Sequence, residues 1–328
     1  MKKALIFGIA GQDGSYLTEL LLEKGYKVYG FDKSPEKEHL ARISHLLDRI
    51  KLINGDIMDQ TAINKAIRVI QPDEVYNFAS PSFVPDSWEY PIMTADVAAL
   101  GVTRILEAMR LYKPDARFYQ ASSSEMFGNV EEYPQSEKTP FSPRNPYGVS
   151  KVYGYWIAVN YRQRYRIFAC SGICFNHESP RRGMEFVTRK VGYEVAKISL
   201  GLSSSLKIGN LDSKRDWGFA GDYVRAMWLM LQQDYPDDYV IATGELHSVE
   251  ELLENAFACV GLKAKDYVVV TPELCRADDS VILVGDATKA RKKLGWRPRA
   301  SFNQLVEMMV NADLKRIKEK VPSQKMLE

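Results

Sequence analysis

The first two dozen residues constrain the fold more than any other stretch. A short apolar run over residues 4–8 breaks into Gly8-Ile9-Ala10-Gly11-Gln12-Asp13-Gly14, and a helical pattern follows at 15–24, with Leu17, Leu20 and Leu21 on one face. Glycines at a strand-to-helix turn permit a tight bend and let backbone N–H groups approach an anion at the helix N-terminus. A glycine triplet alone says little. Placed between strand and helix, it reads as a cradle for a dinucleotide pyrophosphate, formed by Gly8, Gly11, Gln12, Asp13 and Gly14.

The same alternation continues. Runs rich in β-branched and aromatic residues at 27–31, 50–54, 74–79 and 117–121 fit strands buried on both faces. Helical patterns occupy 60–70 and 95–112, with stops such as Lys24-Gly25 and Gln71-Pro72. Repeated βα units imply right-handed crossovers and an α/β, Rossmann-type doubly wound parallel sheet. After residue 175 the pattern loosens into a loop at 178–183, helices at 186–200, 224–231 and 249–260, and a strand at 239–243. This predicts a dinucleotide-binding domain over 1–174, with contributions from about 210–245. A smaller C-terminal α/β substrate lobe is expected over 175–328.

Composition narrows the partners. Of 328 residues 45% are hydrophobic and 26% charged, and the net charge is only +2, so no strong field points to nucleic acid or membrane. The basic stretch at 315–320 alternates with apolar and acidic residues and reads as a solvated helix face. Cys170, Cys174, Cys259 and Cys275 form no metal-ligand spacing and are expected to be reduced thiols. Residues 1–7 lack the long apolar stretch of a signal peptide, and no run approaches the roughly 18 apolar residues of a bilayer span. A cytoplasmic, soluble protein without a metal is expected.

Two aspartates bear on the cofactor. Asp32 ends the second strand, where a carboxylate can bind the adenosine ribose. Asp56, followed by Ile57, ends the third strand and is placed to meet the adenine edge. Either also serves as a turn-former. Asp32 favours NAD, whereas Lys33 and Arg42 are within reach of a 2′-phosphate, so NAD and NADP both stay open.

The chemistry is expected farther along. In Tyr147-Gly148-Val149-Ser150-Lys151, tyrosine and lysine stand four apart and share one helix face. A tyrosine with a reference pKa of about 10 is a poor base at neutral pH. A neighbouring ammonium is expected to favour its phenolate, and the same lysine can hold the nicotinamide ribose. The strand at 117–121 ends in Ser122-Ser123-Ser124-Glu125. Side chains beyond a strand's carboxyl end face the cofactor in such folds. A serine hydroxyl there can bind the reacting oxygen, and Glu125 adds a second proton-transfer group. The plainer alternative is a serine-rich turn with a capping role.

With these residues in place, the chain resembles the GDP-mannose 4,6-dehydratase family of extended short-chain dehydrogenases over nearly its full length. The matching segments are Gly11-Gln12-Asp13-Gly14-Ser15-Tyr16-Leu17, Gln71-Pro72-Asp73-Glu74-Val75-Tyr76-Asn77, Phe118-Tyr119-Gln120-Ala121-Ser122, Phe175-Asn176-His177-Glu178-Ser179-Pro180-Arg181-Arg182-Gly183 and Arg215-Asp216-Trp217-Gly218. The resemblance implies that Ser123 (threonine in the family), Glu125, Tyr147 and Lys151 are catalytic. It places Asn176 against the sugar or its diphosphate, Val187 and Lys190 in the nucleotide pocket, and Arg215 and Arg276 on the phosphates. The implied substrate is a nucleotide-linked sugar and the implied assembly a homodimer or homotetramer.

The departures cluster around recognition. Ser80-Pro81-Ser82-Phe83 stands where the family usually has glutamine at the proline position, which reshapes the sugar pocket near Ser82. Asp32-Lys33 replaces an arginine pair that marks NADP. Asp279 replaces glutamate near base recognition, and the 33–38 loop, which supports tetramer contacts in the family, is short. The resemblance therefore implies a 4,6-dehydratase on GDP-mannose or a close relative. A C4-epimerase or 4-keto reductase is the alternative on the same scaffold, and a non-catalytic dinucleotide sensor the remote one.

Overall fold

The computed structural model describes residues 1–34, 36–274 and 281–320. Strand and helix alternate through the first half. The elements are β1 (Lys3–Phe7), α1 (Gln12–Glu23), β2 (Lys27–Asp32), β3 (Lys51–Asn54), α2 (Gln60–Ile70), β4 (Glu74–Asn77), α3 (Asp86–Glu89), α4 (Pro91–Ala95), α5 (Gly101–Tyr112), β5 (Arg117–Ser123), α6 (Pro146–Tyr165) and β6 (Phe168–Cys174). The second half holds β7 (His177–Glu178), α7 (Val187–Ser199), β8 (Leu206–Ile208), β9 (Lys214–Arg215), β10 (Gly218–Phe219), α8 (Ala220–Met230), β11 (Tyr239–Ile241), β12 (His247–Ser248), α9 (Val249–Ala258), β13 (Val268–Val270), α10 (Thr288–Leu294) and α11 (Phe302–Lys320).

Seven strands make one parallel sheet in the order β11-β6-β5-β4-β1-β2-β3. β1 shows why helices cover both faces. Successive side chains of a strand point to opposite sides. Ala4 and Ile6 enter a core shared with α1 and α8, while Leu5 and Phe7 enter another shared with α2 and α5. A strand apolar on both faces, as β1 is from Ala4 to Phe7, is stable only when each face is packed.

Local signals end the helices where the sequence suggests. Asp59 caps α2 by accepting from the N–H groups of Thr61 and Ala62, and Gln71 closes it in a left-handed conformation (φ 51°) before Pro72. The expected helix over 95–112 is broken differently. Its first turn, Asp96–Leu100, is a wide π-type turn joining α4 to α5. There Arg104 donates to the Asp96 carbonyl and carboxylate. Between β2 and β3 the chain forms a 3-10 segment, His39–Leu46, that buries Leu40, Ile43 and Leu46.

A third core lies apart from the sheet. Val191 and Val195 of α7, Leu252 and Phe257 of α9, and Leu305 and Met309 of α11 pack together. The buried ion pair Arg189–Asp313 ties α7 to α11. From this lobe the chain returns to the sheet, where β11 pairs with β6. No helix among the described residues is long and apolar enough to cross a membrane.

Candidate active site

β1 lies between β2 and β4, so the winding reverses there and a crevice opens beyond the strands' carboxyl ends. Gly8 sits at its edge with φ +77°, and a Cβ there would lie 2.9 Å from the Ala79 nitrogen. A Cβ on Gly14 would lie 2.4 Å from the Gly8 carbonyl oxygen. Neither position tolerates a side chain, and the bare backbone is what a pyrophosphate needs to approach. Gly11 precedes α1 as its N-cap residue, and the first N–H groups of a helix lack intrahelical partners. The turn fits a dinucleotide.

The side chains of Gln12 and Asp13 face away from that task. Gln12 donates to the Asp13 carboxylate and the His177 carbonyl, and accepts from the Ser179 hydroxyl. Asp13 pairs with His177 Nε2 at 2.9 Å, while His177 Nδ1 lies 2.8 Å from the Phe175 carbonyl and its ring stacks on Tyr223. Burial alone would raise Asp13 and lower His177, yet their mutual attraction wins: Asp13 is held below the usual carboxylate range and His177 above the usual imidazole range. The glycine turn is thus latched to the 175–183 loop.

At the ribose end, Asp32 accepts from the Ala10 N–H at 3.3 Å and lies 2.6 Å from His39 Nε2. Arg42 donates to the Arg181 and Ala10 carbonyls. Asp56 accepts from the Met58 N–H in a turn. Ile57 is buried against Gly101.

The proton-transfer groups converge. β5 ends at Ser123, whose hydroxyl accepts from the Glu125 N–H at 3.2 Å and neighbours the Tyr147 phenol. Glu125 Oε2 accepts from the Asn145 amide at 2.9 Å. On α6, Lys151 donates to the Ala121 carbonyl at 2.9 Å, with its ammonium 5.4 Å from the centre of the Tyr147 ring. The expectation that lysine depresses the tyrosine needs correction. Burial pushes Tyr147 up to about 12, against which the Ser123 hydrogen bond works, and burial pulls Lys151 down to about 8. Both groups are buried, and desolvation is the largest influence on each.

The recognition residues are more scattered. Ser82 is exposed in the loop after β4. That loop meets the start of α7 where Phe83 packs edge-on to Phe186, 5.6 Å between centroids. Asn176 is half-buried, and its carbonyl accepts from the Gly218 N–H. Lys190 donates to the Lys207 carbonyl, and Arg215 donates to the Ser213 hydroxyl and the Lys214 carbonyl. Arg276, Asp279 and Cys275 lie outside the described residues. Asn145, His177 and His39 were not singled out from sequence. An asparagine directly before Pro146 carried a capping signal, whereas the histidines acquire partners only through folding.

A glycine turn at the switch point, feeding a cleft whose base holds a buried tyrosine and lysine, defines a nicotinamide-dependent enzyme of the extended short-chain dehydrogenase type. The family model described as GDP-mannose 4,6 dehydratase matches residues 5–309. The chain is 50% identical to GDP-mannose 4,6 dehydratase 1 of Arabidopsis thaliana, covering 95% of this chain and 90% of that one. It is 47% identical to the GDP-mannose 4,6 dehydratase of Homo sapiens, covering 95% and 91%. Among solved structures it superposes on the Thermus thermophilus UDP-glucose 4-epimerase in complex with NAD at a TM-score of 0.84, with 26% identity over 95% of this chain and 98% of that one. The chain belongs to the GDP-mannose 4,6-dehydratase family.

Proposed function

We propose that this protein is a nucleotide-sugar 4,6-dehydratase that converts GDP-mannose to its 4-keto-6-deoxy product. The observation that carries the reading is Ser123. Its hydroxyl accepts from the Glu125 N–H and lies close enough to the Tyr147 phenol to work against the rise of that group's pKa, so two proton-transfer groups share one neighbour. When bound, the nicotinamide dinucleotide supplies a reversible store for the hydride taken from C4 and returned at C6. Tyr147 removes the proton of the C4 hydroxyl, and Ser123 holds that oxygen. The ketone so formed acidifies the neighbouring C5–H. Glu125 takes the C5 proton, the electron pair of that bond expels the C6 hydroxyl, and the proton leaves with it as water; as C6 regains the hydride, C5 takes a proton from solvent, balanced by the one Tyr147 releases. Lys151 orients the nicotinamide ribose. A C4-epimerase needs no second acid/base at C5 and C6, and Glu125 therefore favours dehydration.

On this reading Asn176 and Arg215 hold the diphosphate side of the substrate, with Arg276, while Ser82, Val187, Lys190 and Asp279 border the sugar and base. Residues 1–174, with 210–245, bind the cofactor, supported by the return of β11 to the sheet; residues 175–328 bind the sugar nucleotide. Asp32 at the end of β2, with Arg42 engaged on carbonyls, favours NAD over NADP. The protein works in the cytoplasm as a homo-oligomer. Val149, Tyr153 and Trp156 expose one apolar face of α6 beside Ile92 and Met93 of α4, the kind of patch that a second copy covers. Mass by light scattering tests this. The function itself is tested with a panel of GDP-, UDP- and CDP-sugars read by mass spectrometry. Loss of water from GDP-mannose is expected. An unchanged mass with inverted C4 marks an epimerase, and a gain of hydrogen marks a reductase.

A further inference from the structure

Asn145 is buried at the N-terminus of α6 and has two tasks at once. Its Oδ1 accepts from the Gly148 N–H at 2.7 Å, capping the helix, and Pro146 at the first helical position leaves no N–H of its own to satisfy. Its Nδ2 donates to Glu125 Oε2 at 2.9 Å. The two partners dictate the amide's orientation, because a flipped carboxamide would set oxygen against carboxylate and NH2 against N–H. The helix end also presses on the Glu125 backbone: a Cβ on Gly148 would lie 2.7 Å from the Glu125 carbonyl oxygen.

Other side chains meet only half of this requirement. Serine, threonine and aspartate cap helices well. The hydroxyls are too short to span from the Gly148 N–H to the carboxylate, and aspartate would bring a second negative charge against Glu125. An amide is the side chain of that length with an acceptor for the helix and a donor for the carboxylate.

We infer that Asn145 is a positioning residue that locks the Glu125 carboxylate to the helix carrying Tyr147, so that the groups acting at C4 and C5 hold one fixed spacing. The inference rests on the reading of Glu125 as the group that takes the C5 proton. With Oε2 engaged by the amide, Oε1 is the oxygen that receives it. The C5–H bond then breaks toward Oε1, and the C6 hydroxyl departs as water carrying that proton. Asn145 touches neither the substrate nor the cofactor in this scheme. It acts through Glu125 alone, so its loss is felt at elimination and not at C4 oxidation.

The test uses the full-length holoenzyme with GDP-mannose and separates the two half-reactions. C4 oxidation is followed by the near-ultraviolet absorbance of reduced nicotinamide, and elimination by product mass and by solvent deuterium entering at C5. Asn145→Ser keeps an oxygen cap but offers no donor that reaches Glu125. Its melting temperature and its oxidation rate are expected to stay near wild type. Elimination is expected to slow by about 10- to 100-fold, the size of a lost hydrogen bond to a charged group, and reduced nicotinamide to accumulate during turnover. Asn145→Asp, which also keeps the cap, is expected to slow elimination further and to move the acid limb of its pH profile upward. The inference is overturned if Asn145→Ser eliminates water at the wild-type rate, or if both half-reactions fall together with a lowered melting temperature. Glu125→Gln run in parallel tells the two failures apart. If that variant eliminates normally, the role of Glu125 falls and this inference with it; if only Asn145→Ser is unaffected, the positioning role falls alone.

Discussion

The end of β5 with the start of α6, and the segments of the C-terminal lobe, are built in opposite ways. In the first region two short segments meet: Asn145 donates to Glu125, Ser123 accepts from the Glu125 N–H and neighbours Tyr147, and Lys151 is tied to the same strand. In the second, Asn176, Lys190 and Arg215 each bond to backbone or a hydroxyl in their own neighbourhood and come from separate elements. The difference follows from the demands on each. Proton transfer is sensitive to fractions of an ångström and favours a preorganised site on rigid elements. A diphosphate spreads its charge over several oxygens, and its contacts tolerate longer paths.

The sharpest way to break this contrast is at the tyrosine. Tyr147→Phe is expected to lower turnover by about 10³-fold or more, within the range of lost acid/base catalysis, with cofactor binding retained. Formation of reduced nicotinamide at the wild-type rate would remove Tyr147 from the chemistry. In the recognition region, Arg215→Ala is expected to raise KM about tenfold while kcat changes little, since phosphate contacts hold ground and transition states alike. A fall in kcat with constant KM would make Arg215 part of the chemical end.

Two smaller effects depend on pH. Burial places the ammonium of Lys151 near neutrality, with a pKa of about 8. The charged form is present below that value, so kcat/KM is expected to decline as pH rises through about 8. Lys151→Arg, which stays charged, should lose that limb in a pH–rate profile while retaining reduced activity. The latch between the glycine turn and the 175–183 loop gives the second effect. Asp13 is lowered, so its share of stability is present above its unfolded value of about 3.9 and lost as pH falls through the folded one. His177 is raised, so its share is full below about 6.5 and lost as pH climbs through its folded value. Their pair therefore stabilises most between about pH 4 and 6.5. His177→Asn is expected to cost about 1–3 kcal/mol there and less at alkaline pH, measured by denaturant unfolding; a pH-independent difference would deny the ion pair.

Much of this was legible from patterns that are local. Apolar runs, the Gln71-Pro72 stop and the glycine turn act over a few residues, and α2 spans Gln60–Ile70 as its periodicity indicates. Tyr147 and Lys151 share a face because helix geometry alone places them so. The wide turn at Asp96–Leu100 was not legible in the helical period of that stretch. Nor were the pKa directions, since desolvation is a property of the packed cleft.

By itself the sequence determined the doubly wound sheet, its phosphate turn and the residue types at the chemical end, because strand, helix and turn preferences are set by short-range sterics and hydrophobic period. Tertiary structure alone decided that Asp13 meets His177 across the loop after β6, that Asn145 reaches Glu125 and that burial opposes charge on Tyr147 and Lys151. Those outcomes depend on groups separated along the chain arriving at one place with little water between them, and no local rule encodes that.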